Sequence, residues 1–457
     1  MARRAKVGLV DFAYTAQDEA FRSELRAWLD EHLPAFLATE DADEEDAGVG
    51  PDPGESRASA GASAGASALL RGDEEGEEGE DHARLMDGQD RRMAGARSQE
   101  RRRAWQRLLA KGGWAAVHWP VEYGGRDTTP TQRLIYAEEM ANYRTPGMFN
   151  ANGIWQIGPM IIRWGTDDQK RRWLPSILNA DEHWCQGFSE PDAGNDLANL
   201  STTALPDGDG YVVNGQKIWI STAHLAKWGL FLLRTDPTAK ARGAKHEGIT
   251  AFIVDLETPG VECRPIRDMA DERMFNEVYF TDARIPASSR LGGEGEGWLV
   301  AMGTLGHERV GIAGQVTILG ADLQAMVETA RSVNPEALAD PEIRERIARC
   351  YTEIELTKLL NYRALSKVMK GEKNWPEVPF AKLEWSYLAQ SLAELAVDLL
   401  GPLGALGRGG PDAVDRGRWT RLYSFQRYTT IAGGSTEVQK NIIADRAIKL
   451  PGKARLG

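Results

Sequence analysis

Residues 184–196 read WCQGFSEPDAGND, and just downstream residues 210–221 read GYVVNGQKIWIS. The first stretch is a polar loop. Glu190-Pro191 interrupts regular structure, and the small residues Ala193-Gly194-Asn195-Asp196 let backbone come close to a ligand. The second stretch predicts a β-hairpin with Asn214-Gly215 as its two-residue turn. Past that turn Lys217, Trp219 and Ser221 fall on one face of the strand and Ile218 and Ile220 on the other, because side chains alternate. One face is then apolar, and the other sets an aromatic plate beside a hydroxyl. That pairing suits a flat heterocycle that must be stacked and hydrogen-bonded at once.

Helical patterns lie on both sides. Thr15 and Asp18 form a capping box for an amphipathic helix over 15–36, with Phe21, Leu25, Trp28, Leu29 and Leu33 on its apolar stripe. Further helices are expected over 95–111, 130–144 and 167–179. Strand-like runs follow at 210–221, 228–235, 248–256 and 276–286. From 293 onward the pattern is helical again, over 299–331, 340–371, 376–401, 412–425 and 435–447. Helices, then strands, then helices is the order of segregated domains, not of an alternating βαβ fold. No Gly-rich dinucleotide fingerprint follows a strand, which excludes a Rossmann-type flavoprotein.

Residues 38–82 stand apart. Acidic runs (DADEED, DEEGEEGED) flank ASAGASAGASA, a composition too polar and too simple to offset the entropy of ordering, so disorder is expected there. The net charge of −12 is local: residues 40–81 hold 15 Asp or Glu against 2 Arg, which leaves the rest of the chain close to neutral. A nucleic-acid binder would need a basic body, and this chain has none. With a hydrophobic share of 42% and no run of about 18 apolar residues, a globular protein without a membrane span is expected. The N-terminus has no apolar core long enough for a secretory signal. Three scattered cysteines (Cys185, Cys263, Cys350) give neither a disulfide framework nor a metal pattern, and a reducing cytoplasm is the default compartment.

Residues 184–196 and 210–221 resemble the paired flavin-binding signatures of the acyl-CoA dehydrogenase family, roughly (T/S)EPxAGSD followed by GxKxWI(T/S). GWAAVHWPVEYGG (113–125) is similar to that family's WPxxYGG loop, and DDQKRRWLPSILN to its segment leading into the β domain. The resemblance implies an α+β fold: an N-terminal α-helical domain (1–182, carrying the insert at about 38–95), a middle β domain (183–292) and a C-terminal four-helix-bundle domain (293–457). It implies FAD as cofactor, with Gln186, Phe188, Ser189, Trp219 and Ser221 around the flavin ring and Ser435 and Glu437 near the cofactor in the last helix. Asn195 would meet the CoA moiety. No metal is implied.

The activity implied is oxidation of an acyl-CoA thioester to its trans-2-enoyl product. A base takes the α-proton while the β-hydrogen leaves as hydride to the flavin. So weak a carbon acid requires hydrogen bonds to the thioester oxygen and a site that excludes water. Many members place the base as Glu in a C-terminal YEGT motif; here TTIAGGSTEVQ puts Gly433 at that position. A second family location lies in the first long helix of the C-terminal domain, and GTLGHERVGIA supplies Glu308 followed by Arg309 there. This matches isovaleryl-type and long-chain members. Glu308 is therefore the expected base, the backbone N–H of Gly433 a holder of the thioester carbonyl, and Arg309 a neighbour of CoA or of the site entrance. His307 adjoins the base.

Two departures bear on the cofactor. The family's RxxFG motif is replaced by ETARSVNPEALADPE, with Asn334 near the Arg position. The partner-subunit adenosine loop survives only in part, as Asp398-Leu399-Leu400-Gly401-Pro402-Leu403-Gly404. An electron-transfer flavoprotein is the expected electron acceptor, a homodimer or homotetramer the expected assembly, and a branched or bulky acyl group the expected substrate. The alternatives are an FAD-poor subunit of a hetero-oligomer and a flavin oxidase or monooxygenase on the same scaffold.

Overall fold

The computed structural model describes residues 14–47, 98–370, 377–407, 410 and 412–450, without the side chains of 39–47, 305–313, 368, 369 and 446. Helix α1 (Ala16–Ala47) starts at the predicted capping box. Asp18 N–H donates to Thr15 Oγ1 at 3.1 Å, and Thr15 N–H donates to Asp18 Oδ2 at 3.0 Å. Phe21, Leu25, Leu29 and Leu33 are buried against Trp105 and Leu109 of α2 (98–111) and Ile135 and Tyr136 of α3 (Pro130–Asn142). The helix continues to Ala47, although disorder was expected from residue 38. The Ala and Glu residues of ATEDADEEDA are good helix formers, and extending a helix already nucleated needs no apolar face. Residues 48–97, which hold the rest of the insert, lie outside the described residues.

A π-type turn over Gly153–Ile157 leads into α4 (Gly158–Trp164), which the sequence pattern did not announce, and α5 (Asp167–Leu178) follows. Gln169 completes the α5 capping box with Thr166. Its amide also donates across to the carbonyls of Ser288 and Arg290 at 2.9 and 2.8 Å, joining the helical layer to the sheet.

Eight strands form one sheet: β1 (Trp184–Gly187), β2 (Thr203–Asp207), β3 (Gly210–Ser221), β4 (Trp228–Arg234), β5 (Ile249–Asp255), β6 (Val261–Ile266), β7 (Phe275–Pro286) and β8 (Arg290–Leu291). Their order is β6-β7-β3-β2-β4-β5-β8, with β1 parallel to β4. Every residue of β4 is buried because both faces are covered. Leu230 and Leu232 pack towards the helices with Ile161 and Trp173, while Phe231 and Leu233 pack inward with Phe252, Val278 and Phe280.

The β2–β3 hairpin turns at Gly208-Asp209, since Asp207 pairs with Gly210. Asn214-Gly215, expected to be that turn, lies within β3 at a register shift against β7. The pair is compatible with either role, and a distant residue decides. Asn214 Nδ2 donates to Asp282 Oδ1 at 3.0 Å and Asp282 N–H returns the bond at 2.9 Å, while Gly215 takes a φ of +140°.

A short helix, α6 (Pro237–Ala241), lies between β4 and β5, and the C-terminal layer is helical: α7 (Gly297–Val333), α8 (Pro341–Met369), α9 (Glu377–Leu400), α10 (Arg418–Phe425) and α11 (Thr436–Ile442). Val316, Leu319, Leu323 and Met326 of α7 bury against Ile354 of α8, Leu388, Leu392 and Leu395 of α9, and Trp419 of α10. The bundle begins α10 later than the sequence pattern predicted, because Asp415 and Arg416 take left-handed φ values of +47° and +54°. Helical domain, β domain and helical bundle together make the expected α+β architecture. Among the described residues no helix is long and apolar enough to cross a membrane.

Candidate active site

The loop after β1 is held from below. Lys217, fully buried in β3, donates to Phe188 O at 3.0 Å and to Glu190 Oε1 at 2.8 Å. Glu190 also accepts the N–H groups of Ser201 and Thr202 at 2.6 and 2.9 Å, and Ile218 N–H donates to Ser189 O at 3.0 Å. Burial alone would push the Glu190 carboxyl up. The Lys217 ammonium and these hydrogen bonds override it and hold the group at about 2, so the pair is ionised at neutral pH. Removing one partner of such a pair strands a buried charge, at a cost of about 3–5 kcal/mol.

This arrangement corrects the simple alternation read from GQKIWIS. A bulge between Lys217 and Ile220 sets two residues of β3, Ile218 and Trp219, against Glu277 alone of β7, and Trp219 takes a φ of +62°. Lys217 therefore points into the core, whereas the Trp219 ring is 59% exposed, so the two do not share a face with Ser221 as expected. A Trp held at positive φ beside an open surface is a strained arrangement of the kind that collects at ligand sites. The Trp219 ring meets Phe275 edge-on at 6.2 Å, and Phe275 lies 6.3 Å from Tyr428 of the C-terminal layer.

Just past Ser221, Thr222 is also left-handed, at φ +55°. Its N–H donates to Met274 O at 2.7 Å, and its Oγ1 lies 2.8 Å from His183 Nε2. Burial, reinforced by His224, lowers His183 to about 4 and keeps the ring neutral. The β6–β7 connection is tied to α10 by a two-pronged ion pair between Glu272 and Arg421.

Asn195 and the C-terminal layer line one cavity of about 530 Å³, whose other walls are Tyr387 and Gln390 of α9, Thr430, Ile431, Ser435, Thr436 and Glu437. Asn195, Ser435 and Glu437, widely separated in sequence, are thus brought together. Ser435 Oγ accepts the Val438 N–H at 3.4 Å as the cap of α11. The turn before it uses two successive left-handed glycines, Gly433 at φ +64° and Gly434 at φ +88°, whose carbonyls accept the Gln439 amide. Two polar atoms near the expected cofactor lack a protein partner: Gln186 Oε1 of β1 and Thr436 Oγ1 at the cavity wall are both buried. An unsatisfied buried acceptor or hydroxyl costs about 1–3 kcal/mol, so each is a place for a ligand to bond.

Asp398 and Gly401 are not part of this cavity. Asp398 lies eight residues beyond Gln390 on α9, about 12 Å along the helix axis, and pairs with Arg346 at 2.7 Å. Asn334 donates to Leu399 O at 3.0 Å and so closes the C-terminal end of α9. The backbone of Glu308 and Arg309 belongs to α7; their side chains, and that of His307, lie outside the described residues.

Three family models cover most of the sequence: the acyl-CoA dehydrogenase N-terminal domain over residues 80–181, the middle domain over 185–283 and the C-terminal domain over 295–448. The chain belongs to the acyl-CoA dehydrogenase family. Acyl-CoA dehydrogenase IpdE1 of Mycobacterium tuberculosis is 41% identical over 78% of this chain and 90% of its own length. Acyl-CoA dehydrogenase FadE26 of the same organism is 35% identical over 75% of this chain and 86% of its own. Among solved structures, the ChsE4-ChsE5 complex from Mycobacterium tuberculosis matches with a TM-score of 0.72 at 30% identity, covering 97% of this chain and 100% of that one. The Tcur3481-Tcur3483 steroid ACAD matches with a TM-score of 0.70, also at 30% identity, over 77% and 89% of the two chains.

Acyl-CoA dehydrogenases are FAD-dependent oxidoreductases, and this chain is an acyl-CoA dehydrogenase. Sequence reasoning on this member of the family missed the Glu190–Lys217 pair, for which the signal was a lone Lys in an otherwise apolar strand segment. It also missed the α9 wall of the cavity. There the signal was polar Lys382, Ser386 and Gln390, four residues apart on an apolar helix.

Proposed function

We propose that this acyl-CoA dehydrogenase binds FAD and removes two hydrogens from a bulky, branched or polycyclic acyl-CoA, with Glu308 as base and an electron-transfer flavoprotein as acceptor. The observation that carries the reading is the cavity where Asn195 of the middle domain (183–292) faces Tyr387, Thr430 and Glu437 of the C-terminal domain (293–457). The adjoining turn presents no side chain at Gly433, which leaves room beside the reacting carbons. That the steroid ACAD is among its structural neighbours supports a polycyclic acyl group.

The residues present fit FAD. Gln186 Oε1 and Thr436 Oγ1 are buried without a protein partner, and Trp219 offers an open indole. Gln186, Phe188, Ser189, Trp219 and Ser221 would hold the flavin ring, with Ser435 and Glu437 further along the cofactor. When bound, FAD supplies the hydride acceptor. The chain's own groups do the remainder. Glu308 takes the α-proton, and the Gly433 N–H holds the thioester oxygen, on which negative charge develops. Asn195 and Arg309 meet the CoA. Asp398 and Gly401, remote from the cavity, serve the adenosine end of a neighbouring subunit's cofactor.

The test is the visible spectrum of the chain purified alone, followed by anaerobic addition of straight-chain, branched and steroid-derived acyl-CoAs. Near-stoichiometric flavin that bleaches with the bulky class is the expected result. Bleaching with short straight chains alone would overturn the substrate assignment.

A second reading is favoured by the far end of α9, where Asp398 is engaged by Arg346 and Asn334 by Leu399 O. On that reading a different chain completes the FAD site. The ChsE4-ChsE5 structure, a complex of two named chains, supports it. A protein colourless alone that gains flavin when mixed with a relative would favour this mixed assembly.

A further inference from the structure

The apolar face of α9, with Ala381, Leu388, Ala389 and Leu392 buried, is interrupted by Lys382 and Ser386, which are equally buried. Both reach the same acceptor. Lys382 Nζ donates to Thr429 O at 2.6 Å, and Ser386 Oγ lies 2.9 Å from the same oxygen, sharing its one proton between it and the Lys382 carbonyl at 2.8 Å. Thr429, itself fully buried, has its hydroxyl between two carbonyls that share its one proton, Gln426 O at 2.7 Å and Ser386 O at 3.1 Å. A charge-assisted bond to one carbonyl, joined to a neutral one, is a strong local anchor.

Four residues after that carbonyl comes Gly433. A Cβ built on Gly433 would lie 3.7 Å from Lys382 Cε, so the lysine stem runs beneath the Gly433 backbone. Gly433 and Gly434 are both left-handed, and the Gln439 amide fixes the carbonyls of the same turn from the other side. The backbone here is held at three points while no side chain at Gly433 intervenes between the ammonium stem and the space beyond. Burying a lysine is costly, and an apolar residue would pack α9 as well. Its ammonium reaches the Thr429 carbonyl at the head of the Gly433 turn.

We propose that Lys382 is a positioning residue for the dehydrogenation. It fixes the 429–434 turn so that the Gly433 N–H points at the thioester oxygen, and it brings a positive charge beside that N–H. Both effects grow in value as the α-proton leaves and negative charge moves onto the oxygen, so they act on the chemical step more than on binding. This rests on the reading that Gly433 N–H holds the thioester.

The test compares Lys382→Met, Lys382→Gln and Lys382→Arg in the flavin-loaded protein, using an acyl-CoA whose β-carbon is replaced by sulfur. Such a probe can lose its α-proton but has no β-hydrogen to give up, so the long-wavelength band of its enolate beside oxidised flavin reports α-proton acidity alone. Loss of the charge is expected to lower that acidity roughly 100-fold, the lower end of what one oxyanion donor contributes. Turnover should fall in parallel, and KM for the true substrate should stay within about threefold. Lys382→Arg is expected to recover most of both.

Should Lys382→Met not fold, the comparison passes to the other two variants and Ser386→Ala. Lys382→Gln keeps a donor towards Thr429 O without the charge and should show the full loss. Ser386→Ala removes only the neutral donor and should stay within about threefold of the parent. Equal acidity in Lys382→Gln and the parent, or a larger loss in Ser386→Ala, would overturn the proposal. If the parent neither forms the enolate band nor bleaches with any acyl-CoA, the fault lies with the functional reading and not with Lys382.

Discussion

Two buried lysines hold the two halves of the site, and they do so differently. Lys217 meets a carboxylate: with Glu190 it forms an ion pair under the loop that carries Phe188, Ser189 and Asn195. Lys382 meets a peptide carbonyl: it fastens the turn that carries Gly433 through Thr429 O. The first is coupled to titration, because Glu190 must stay ionised for the loop to keep its anchor. The second is coupled to backbone geometry, because what it fixes is the direction of an N–H. The middle domain thus carries the side chains proposed to face the cofactor on an ion-paired platform, and the C-terminal domain presents a bare backbone.

Breaking the ion pair should have the largest effect on stability. Lys217→Met or Glu190→Gln should cost about 3–5 kcal/mol in urea unfolding, with a fall in bound flavin; a loss near that of a surface pair would mean that water reaches the loop. Next comes Gly433→Ala. Nothing blocks the added carbon, since its nearest atom would be 3.7 Å away, but φ +64° disfavours any L side chain. A loss of about 1–2 kcal/mol is expected. The same strain would act against a carboxylate placed at Gly433. Glu272→Gln, which loosens a half-exposed tie to Arg421, should cost only about 1 kcal/mol.

Acid separates the two regions further. His183 is neutral in the fold and lowered to about 4 from 6.5, so the unfolded chain binds more protons in that window. Stability should therefore fall as the pH drops from about 6.5 towards 4, and His183→Gln should flatten that part of the melting-temperature profile. Glu190, held at about 2 in place of 4.5, adds a second loss from about pH 4.5 downward, which Glu190→Gln should remove. A profile unchanged in both variants would contradict the burial of these groups.

Much of this was legible in the sequence for local reasons. The Thr15–Asp18 cap, the runs that became β4, β5 and β7, and the long helices α7 to α9 depend on periodicity and near neighbours. What was not legible depended on distant partners. Asn214-Gly215 stayed inside β3, opposite a bulge of β7 that carries its partner Asp282, and the turn went to Gly208-Asp209. Trp219 left the alternation because β3 and β7 slip by one residue there. Of the site, the loop and the Gly433 turn could be found by resemblance. The two lysines beneath them could not, since burial of a charge is decided by what packs over it.

The central claim is that Glu308, and no group at Gly433, removes the α-proton. The measurement that tests it most directly is anaerobic reduction of the flavin-loaded protein by its acyl-CoA, compared between the parent and Glu308→Gln. The account predicts that the variant keeps its flavin colour and substrate affinity while the rate of bleaching falls by about 10²–10⁴-fold. Bleaching at close to the parent rate would contradict it and assign the base to another residue.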